Sequence, residues 1–184
     1  MYKLFPIFLN LKNKDVLIVG GGNVALEKLN SLIPCQPKIT IIAKSVSAGI
    51  LKLKETHIGI RIIEREIQMS DLEHRVLIFS ATNDKNLNRR LSEFAHEKKI
   101  FINSTDDKSS SDFFSAAVLD RGLFRIAVST DGKFAGFSKM LKNALAEILP
   151  DENNPDWECL ASLRETILNK IPNSAERKKV LEKI

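Results

Sequence analysis

Asp15-Val16-Leu17-Ile18-Val19-Gly20-Gly21-Gly22-Asn23-Val24-Ala25 is the stretch from which the rest of the chain is read. The unbroken apolar run before the glycines reads as a strand. The glycines close it, and Val24 to Ile33 opens a helix behind them. Gly20, Gly22 and Ala25 fall in the spacing G-x-G-x-x-A, in which the three small residues serve in turn for a tight turn, close backbone approach to a pyrophosphate, and close helix-strand packing. The free N–H groups and the positive dipole end of the new helix then face the phosphates. Glycines also end strands merely to turn a corner, so the reading depends on what surrounds them.

A strand from Lys38 to Ile42 follows after one helix, as a βαβ unit of roughly thirty residues requires. That strand ends Ile42-Ala43-Lys44-Ser45, without the acidic residue that commonly grips the ribose of NAD. Lys44 is either a partner for the 2′-phosphate of NADP or an ordinary solvated lysine. On the residues alone both cofactors stay open.

The alternation continues with a helix near Ser45 to Lys54, strands Ile60 to Arg65 and Val76 to Ser80, helix Lys85 to Glu97, and strand Ile100 to Asn103. Strands and helices alternating in this way give an α/β fold with a doubly wound parallel sheet. Leu87, Leu91, Phe94 and Ala95 recur at helical spacing, so helix Lys85 to Glu97 covers one face of that sheet.

After Asn103 comes a polar loop, Ser104 to Asp112, longer than a simple connection and of the kind that carries function. Two strands, Ser115 to Leu119 and Leu123 to Ser129, flank the turn Asp120-Arg121-Gly122. A helix from Phe134 to Leu149 puts Phe134, Phe137, Leu141, Ala144, Leu145 and Ile148 on one stripe, and Pro150 ends it. Asp151 to Asn154 reads as a linker, with Asn154 and Pro155 starting a helix whose stripe is Trp157, Leu160, Leu163, Ile167 and Ile171. Pro172 stops that helix, Asn173 and Glu176 cap a last one, and the last one is still running at Ile184.

Composition narrows the class. With 43% hydrophobic and 28% charged residues in 184, the chain has the balance of an ordinary globular protein. No apolar stretch reaches the length of a membrane span, and Met1-Tyr2-Lys3-Leu4-Phe5-Pro6 lacks the layout of a signal peptide. A cytoplasmic protein is the expectation. Cys35 and Cys159 have no metal-ligand spacing and read as passive packing residues. His57, His74 and His96 have no ligand partner at a recognisable interval, so no metal site is expected. The net charge of +5 and pI near 9.2 suit an anionic ligand. Without a zinc-finger or RNA-binding signature, and with 7% aromatic residues, nucleic acid is not the expected partner.

In an open α/β sheet, ligands bind beyond the carboxyl ends of the strands. The residues there are Gly20 to Asn23, Ala43 to Ser45, Ser80 to Asp84, and Ser104 to Asp107. Thr82 and Asn83 either hydrogen-bond ribose or nicotinamide amide groups or cap the next helix. Asp106 and Asp107 lie where a substrate meets the nicotinamide; a carboxylate there accepts a proton or holds an N–H-bearing substrate, unless it serves only a turn. Ser129-Thr130-Asp131-Gly132-Lys133, between a strand and a helix, is either an anion cradle or a plain turn.

Taken together these residues resemble the NAD-dependent precorrin-2 dehydrogenases of sirohaem synthesis, including the dehydrogenase/ferrochelatase module of sirohaem synthase. The likeness lies in Pro6 to Leu11, Val16 to Ala25, Ala81-Thr82-Asn83-Asp84 with Asn88, Asn103 to Asp107, Asp120-Arg121-Gly122, and Ala127 to Lys133. It implies a Rossmann domain over residues 1–112, a small α/β domain over 113–150 through which two chains form a homodimer, and a helical segment over 151–184. It further implies NAD as cofactor, held by Gly20, Gly22, Asn23, Val24, Ala43, Thr82 and Asn83, and precorrin-2 as substrate, giving sirohydrochlorin. The family's key aspartate falls on Asp106, and Ser129, Thr130, Gly132 and Lys133 fall at the tetrapyrrole. In bifunctional members ferrous iron is a further partner, through ferrochelatase activity. The chain departs from the family where G-G-T-S-P is usual and Asp131-Gly132-Lys133-Phe134-Ala135 stands instead, and where Ala116 replaces a proline. Those departures bear on ferrochelatase activity, not on the dehydrogenase fold.

Overall fold

A computed structural model of the chain describes residues 3–122, 124–151 and 153–181, without the side chains of residues 135, 160, 161, 164 and 181. The expected strand start at Leu123, the Leu160 side chain of the expected stripe, and the expected run of the last helix to Ile184 lie outside the described residues. The chain divides into two units, residues 1–114 and 115–184.

The first unit is a parallel sheet between two helical layers. Its strands are β1 (Asp15–Val19), β2 (Lys38–Ala43), β3 (Ile60–Glu64), β4 (Leu77–Ser80) and β5 (Phe101–Ser104), with the helices α1 (Asn23–Leu32), α2 (Ala48–Thr56) and α3 (Lys85–Glu97) between them. The spatial order is β3-β2-β1-β4-β5, all parallel. The chain therefore reverses direction across the sheet between β1 and β4, and a crevice opens there beyond the strand ends. The doubly wound expectation is met.

Alternation along β1 assigns its residues to two cores. Val16 and Ile18 pack with Ile39, Ile41, Leu77 and Phe79 under Ala25, Leu29 and Leu32 of α1 and Ile50 of α2. Leu17 and Val19 face the other way, with Ile42, Leu72, Ile78 and Ile102 under Leu91 and Ala95 of α3. Both layers are fully buried at β1, which explains why its sequence shows no polar break.

Element ends follow local chemistry. Asp84 caps α3 by accepting from Leu87 N at 3.0 Å. The helix expected from Ser45 starts instead at Ala48, because Ser45 to Ser47 are held in the turn by Ser47 N donating to Gly21 O at 2.8 Å. The polar loop after β5 returns along that strand. Asp112 accepts from Ile102 N at 3.0 Å, Ser111 Oγ accepts from Ser104 N at 2.9 Å, and Asn103 Nδ2 donates to Phe113 O at 2.8 Å. An edge strand is thereby covered by the chain's own loop, and Phe113 reaches under the sheet to meet Phe79 edge-to-face, centroids 5.3 Å apart.

The second unit holds an antiparallel ribbon, β6 (Ala117–Asp120) with β7 (Arg125–Val128), and the helices α4 (Ala135–Ile148), α5 (Pro155–Lys170) and α6 (Ser174–Leu181). Its strands are shorter than expected. The Arg121 guanidinium donates to Ala146 O at 2.7 Å, tying the ribbon's turn to α4. Asn154 caps α5 and Pro155 opens it, as expected. Asn173 accepts from Ala175 N and Glu176 N at the start of α6. Trp157 and Ile167 dock the α5 stripe: Trp157 meets Phe124 edge-to-face at 5.1 Å, and Ile167 is buried.

The α4 stripe does not become core within this unit. Phe134, Phe137, Leu141 and Ile148 are exposed, together with Met140, while Ser138 beside them is buried. Cys35 is half-buried against the α1 layer as a packing residue, whereas Cys159, expected to pack as well, is exposed on α5. His96 has a partner the sequence did not show, the Asp112 carboxylate at 3.2 Å.

Candidate functional site

Gly20 has φ of +121°, and a Cβ placed there would run into the Ala81 carbonyl oxygen. Only glycine lets β1 end so close to the turn after β4. Gly21 is as tightly placed, since a Cβ there would collide with the Ser45 carbonyl beyond β2. The sequence spacing gives Gly21 no such role. Gly22 differs from both: a Cβ there meets nothing within 4 Å, so its backbone borders open space. It is also the N-cap of α1, no side chain caps that helix, and its first turn holds no acidic residue. The first amides of α1 thus have neither an intrahelical partner nor a competing anion.

That open space is a cavity of about 1100 Å³ beyond the carboxyl ends of β1, β2, β3 and β4. Ligand clefts are typically roughly 300–1,000 Å³, so the volume suits an extended ligand such as a dinucleotide. Gly20, Gly22, Asn23, Val24, Ala43, Thr82 and Asn83, the residues expected at the cofactor, all line it. A dinucleotide fits this geometry: a bare helix start, a glycine open to the cavity, and polar side chains converging from adjacent strand ends.

Thr82 and Asn83 prove to have different situations. The Thr82 hydroxyl lies 2.6 Å from Asn88 Oδ1 and is within reach of Asp84 O and N at 3.2 Å, so it holds the loop in shape. Asn83 is exposed at the cavity and forms no cap, because Asp84 is the cap. Behind them Asn88 is buried at 1% exposure. It accepts from Ser80 Oγ at 2.7 Å and from Thr82 Oγ1, and donates to Thr82 O at 3.0 Å. This one amide fixes the turn after β4. In the sequence Asn88 is marked by the resemblance and by being a polar residue on the apolar side of an amphipathic helix, but neither sign gives its role.

On the β2 and β3 side, Lys44 Nζ lies 2.7 Å from Glu66 Oε1, and both line the cavity. The hydrogen bond between them raises the lysine above its ordinary pKa and lowers the glutamate below its own. Next to this pair, Arg65 forks onto Asp71 with bonds of 2.6 and 2.7 Å, which lowers the Asp71 pKa.

Asp106 sits apart from this cavity, on the loop just past β5. It accepts from Ser104 Oγ at 2.7 Å and borders a smaller hollow of about 290 Å³ with Lys85, Asn86, Arg89, Asp107 and Ser110. Asp107 has a turn role: it accepts from the Ser109 amide at 2.8 Å and hydroxyl at 2.6 Å, and these bonds lower its pKa. Lys85 and Arg89 come from the first turns of α3, so cationic side chains stand across from the two carboxylates.

Ser129, Thr130, Gly132 and Lys133 belong to the second unit. They form the turn between β7 and α4, with Asp131 and Gly132 at φ of 51° and 69°. Ser129 Oγ accepts from Asp131 N at 3.1 Å, and Thr130 Oγ1 accepts from Phe134 N at 3.0 Å. The hydroxyls of Ser129 and Thr130 are thus engaged in shaping the turn.

Residues 7–117 match the sequence family described as "Putative NAD(P)-binding". The chain belongs to that family. It is 32% identical over 178 residues to a siroheme synthase of Ruthia magnifica subsp. Calyptogena magnifica, an alignment covering 97% of this chain and 38% of that protein. A siroheme synthase of Vesicomyosocius okutanii subsp. Calyptogena okutanii is likewise 32% identical over 179 residues, with the same coverage. The chain thus spans well under half the length of these curated relatives. Among solved structures, "SirC, precorrin-2 dehydrogenase" superposes with a TM-score of 0.76 at 23% identity, covering 98% of this chain and 89% of the other. That likeness shows a shared fold. Among the described residues, no helix is long and apolar enough to cross a membrane.

Proposed function

We propose that this NAD(P)-binding chain is a precorrin-2 dehydrogenase, which removes a hydride and a proton from precorrin-2 to give sirohydrochlorin, with NAD⁺ reduced to NADH. One observation carries the proposal: the dinucleotide-sized cavity lies in a chain aligned over 97% of its length with siroheme synthases. The name of the solved neighbour supports the same substrate.

In this reading NAD⁺, when bound, supplies the hydride acceptor. The chain's own residues do the rest. Amides of Gly22, Asn23 and Val24 hold the pyrophosphate, Ala43 borders the adenosine ribose, and Thr82 and Asn83 bound the nicotinamide half. Asp106 accepts the proton that leaves with the hydride or anchors a pyrrole N–H, oriented by its bond from Ser104. Ser129, Thr130, Gly132 and Lys133 receive substrate carboxylates, with Lys133 contributing its positive charge. The net charge of +5 draws in so acidic a macrocycle.

The exposed stripe Phe134, Phe137, Met140, Leu141 and Ile148 is in this reading the surface through which two copies pair as a homodimer. Phe134 at 65% exposure, beside Asp131, favours one second reading, a binding module that retains NAD(H) and tetrapyrrole affinity without turnover. Mixing the chain with precorrin-2 and NAD⁺ separates the two: NADH formation supports the enzyme, and nucleotide binding without it supports the module. Insertion of ferrous iron into sirohydrochlorin with NAD⁺ omitted tests the additional ferrochelatase activity.

A further inference from the structure

The acid that usually grips a ribose stands at the end of the second strand, and here that end reads Ala43-Lys44-Ser45. The neighbouring strand supplies a carboxylate instead. Ala43 and Glu64 are paired across β2 and β3, and just beyond those two ends Lys44 and Glu66 meet at 2.7 Å on the wall of the cavity. With the pyrophosphate at Gly22, this edge is where the ribose of the adenosine half lies.

We propose that Glu66 selects NAD over NADP, by offering its carboxylate to the ribose 2′-hydroxyl and by engaging the lysine that would otherwise receive a 2′-phosphate. The inference rests on the dinucleotide reading of the cavity and is independent of the tetrapyrrole. A hydroxyl donates to a carboxylate and is welcome beside it. A 2′-phosphate brings up to about two negative charges and meets a like charge there. The other cation on this edge is engaged as well, since Arg65 is forked onto Asp71. Arg90 lines the cavity from α3, after β4, on the opposite side of β1 from β2, and takes no part in the discrimination.

Lys44 and Glu66 side chains are 77% and 76% exposed, so their ion pair adds little to folding and can be removed without disturbing the sheet. The test titrates the full chain with NADH and, separately, NADPH, following nicotinamide fluorescence. The wild type should bind NADH about tenfold more tightly or better, and Glu66→Gln should raise NADPH affinity by about tenfold. Adding Lys44→Met to Glu66→Gln should abolish that gain, while Arg90→Ala leaves the NADPH-to-NADH ratio as in the wild type. An unchanged ratio in Glu66→Gln, a wild type that prefers or equally accepts NADPH, or a ratio collapsed by Arg90→Ala overturns the proposal. If the wild type binds neither nucleotide, the dinucleotide reading itself fails and this inference with it.

Discussion

The Ser104 hydroxyl donates a 2.7 Å hydrogen bond to the Asp106 carboxylate immediately after β5. That bond orients a side chain which is otherwise solvent-exposed. If Asp106 handles the proton, Asp106→Asn lowers turnover by about a hundredfold or more, the range of general acid-base catalysis. NADH affinity stays at the wild-type value, because Asp106 does not line the dinucleotide cavity. Steady-state rates with precorrin-2 and a separate NADH titration check both halves.

Gly20 and Gly22 respond differently to the same change. Gly20→Ala forces a Cβ against Ala81 at positive φ and costs about 1–3 kcal/mol or more of stability, read by urea unfolding. Gly22→Ala meets no protein atom, so its stability loss stays near 1 kcal/mol or below while NADH affinity falls as the methyl group enters the cavity.

Asn88→Ala leaves Ser80 Oγ and Thr82 Oγ1 without their shared acceptor in a buried site. A loss of about 1–3 kcal/mol follows, with weaker NADH binding as the turn after β4 loosens. Thermal unfolding with and without NADH measures the two effects. Leu91→Ala, on the same helix and fully buried, costs about 2–5 kcal/mol from its cavity without a specific effect on the nucleotide once the protein is folded.

The fork between Arg65 and Asp71 gives a pH dependence with a definite sign. Asp71 has a folded-state pKa lowered from the ordinary value of 3.8, first by its hydrogen bond from Arg65. A depressed acid stabilises the fold above its unfolded pKa, and that stabilisation is lost as pH falls through the folded value. Wild type should therefore exceed Asp71→Asn in stability at pH 7, with the difference shrinking below about pH 3.8. A gap that widens on acidification contradicts the fork.

The first unit was legible because its signals are local. β1 is apolar on both faces, Leu87, Leu91, Phe94 and Ala95 share one side of α3, and the glycine spacing fixes the turn between β1 and α1. The meeting of Lys44 and Glu66 at the cavity was not legible. Lys44 and Glu66 are brought together only by the register of β2 on β3, and no local pattern encodes a pairing between strands. The role of Asn88 was hidden for a related reason, since its partners Ser80 and Thr82 belong to the preceding strand and loop. In the second unit, periodicity found the α4 stripe, but periodicity reports a face and not what covers it.

Whether the chain oxidises precorrin-2 is decided by anaerobic incubation with precorrin-2 and NAD⁺, following NADH and sirohydrochlorin absorbance together. A precorrin-2 dehydrogenase makes both rise in equal amounts, and only when the chain is present. NADH binding without any formation of sirohydrochlorin, under conditions in which an authentic precorrin-2 dehydrogenase turns over, would contradict that activity.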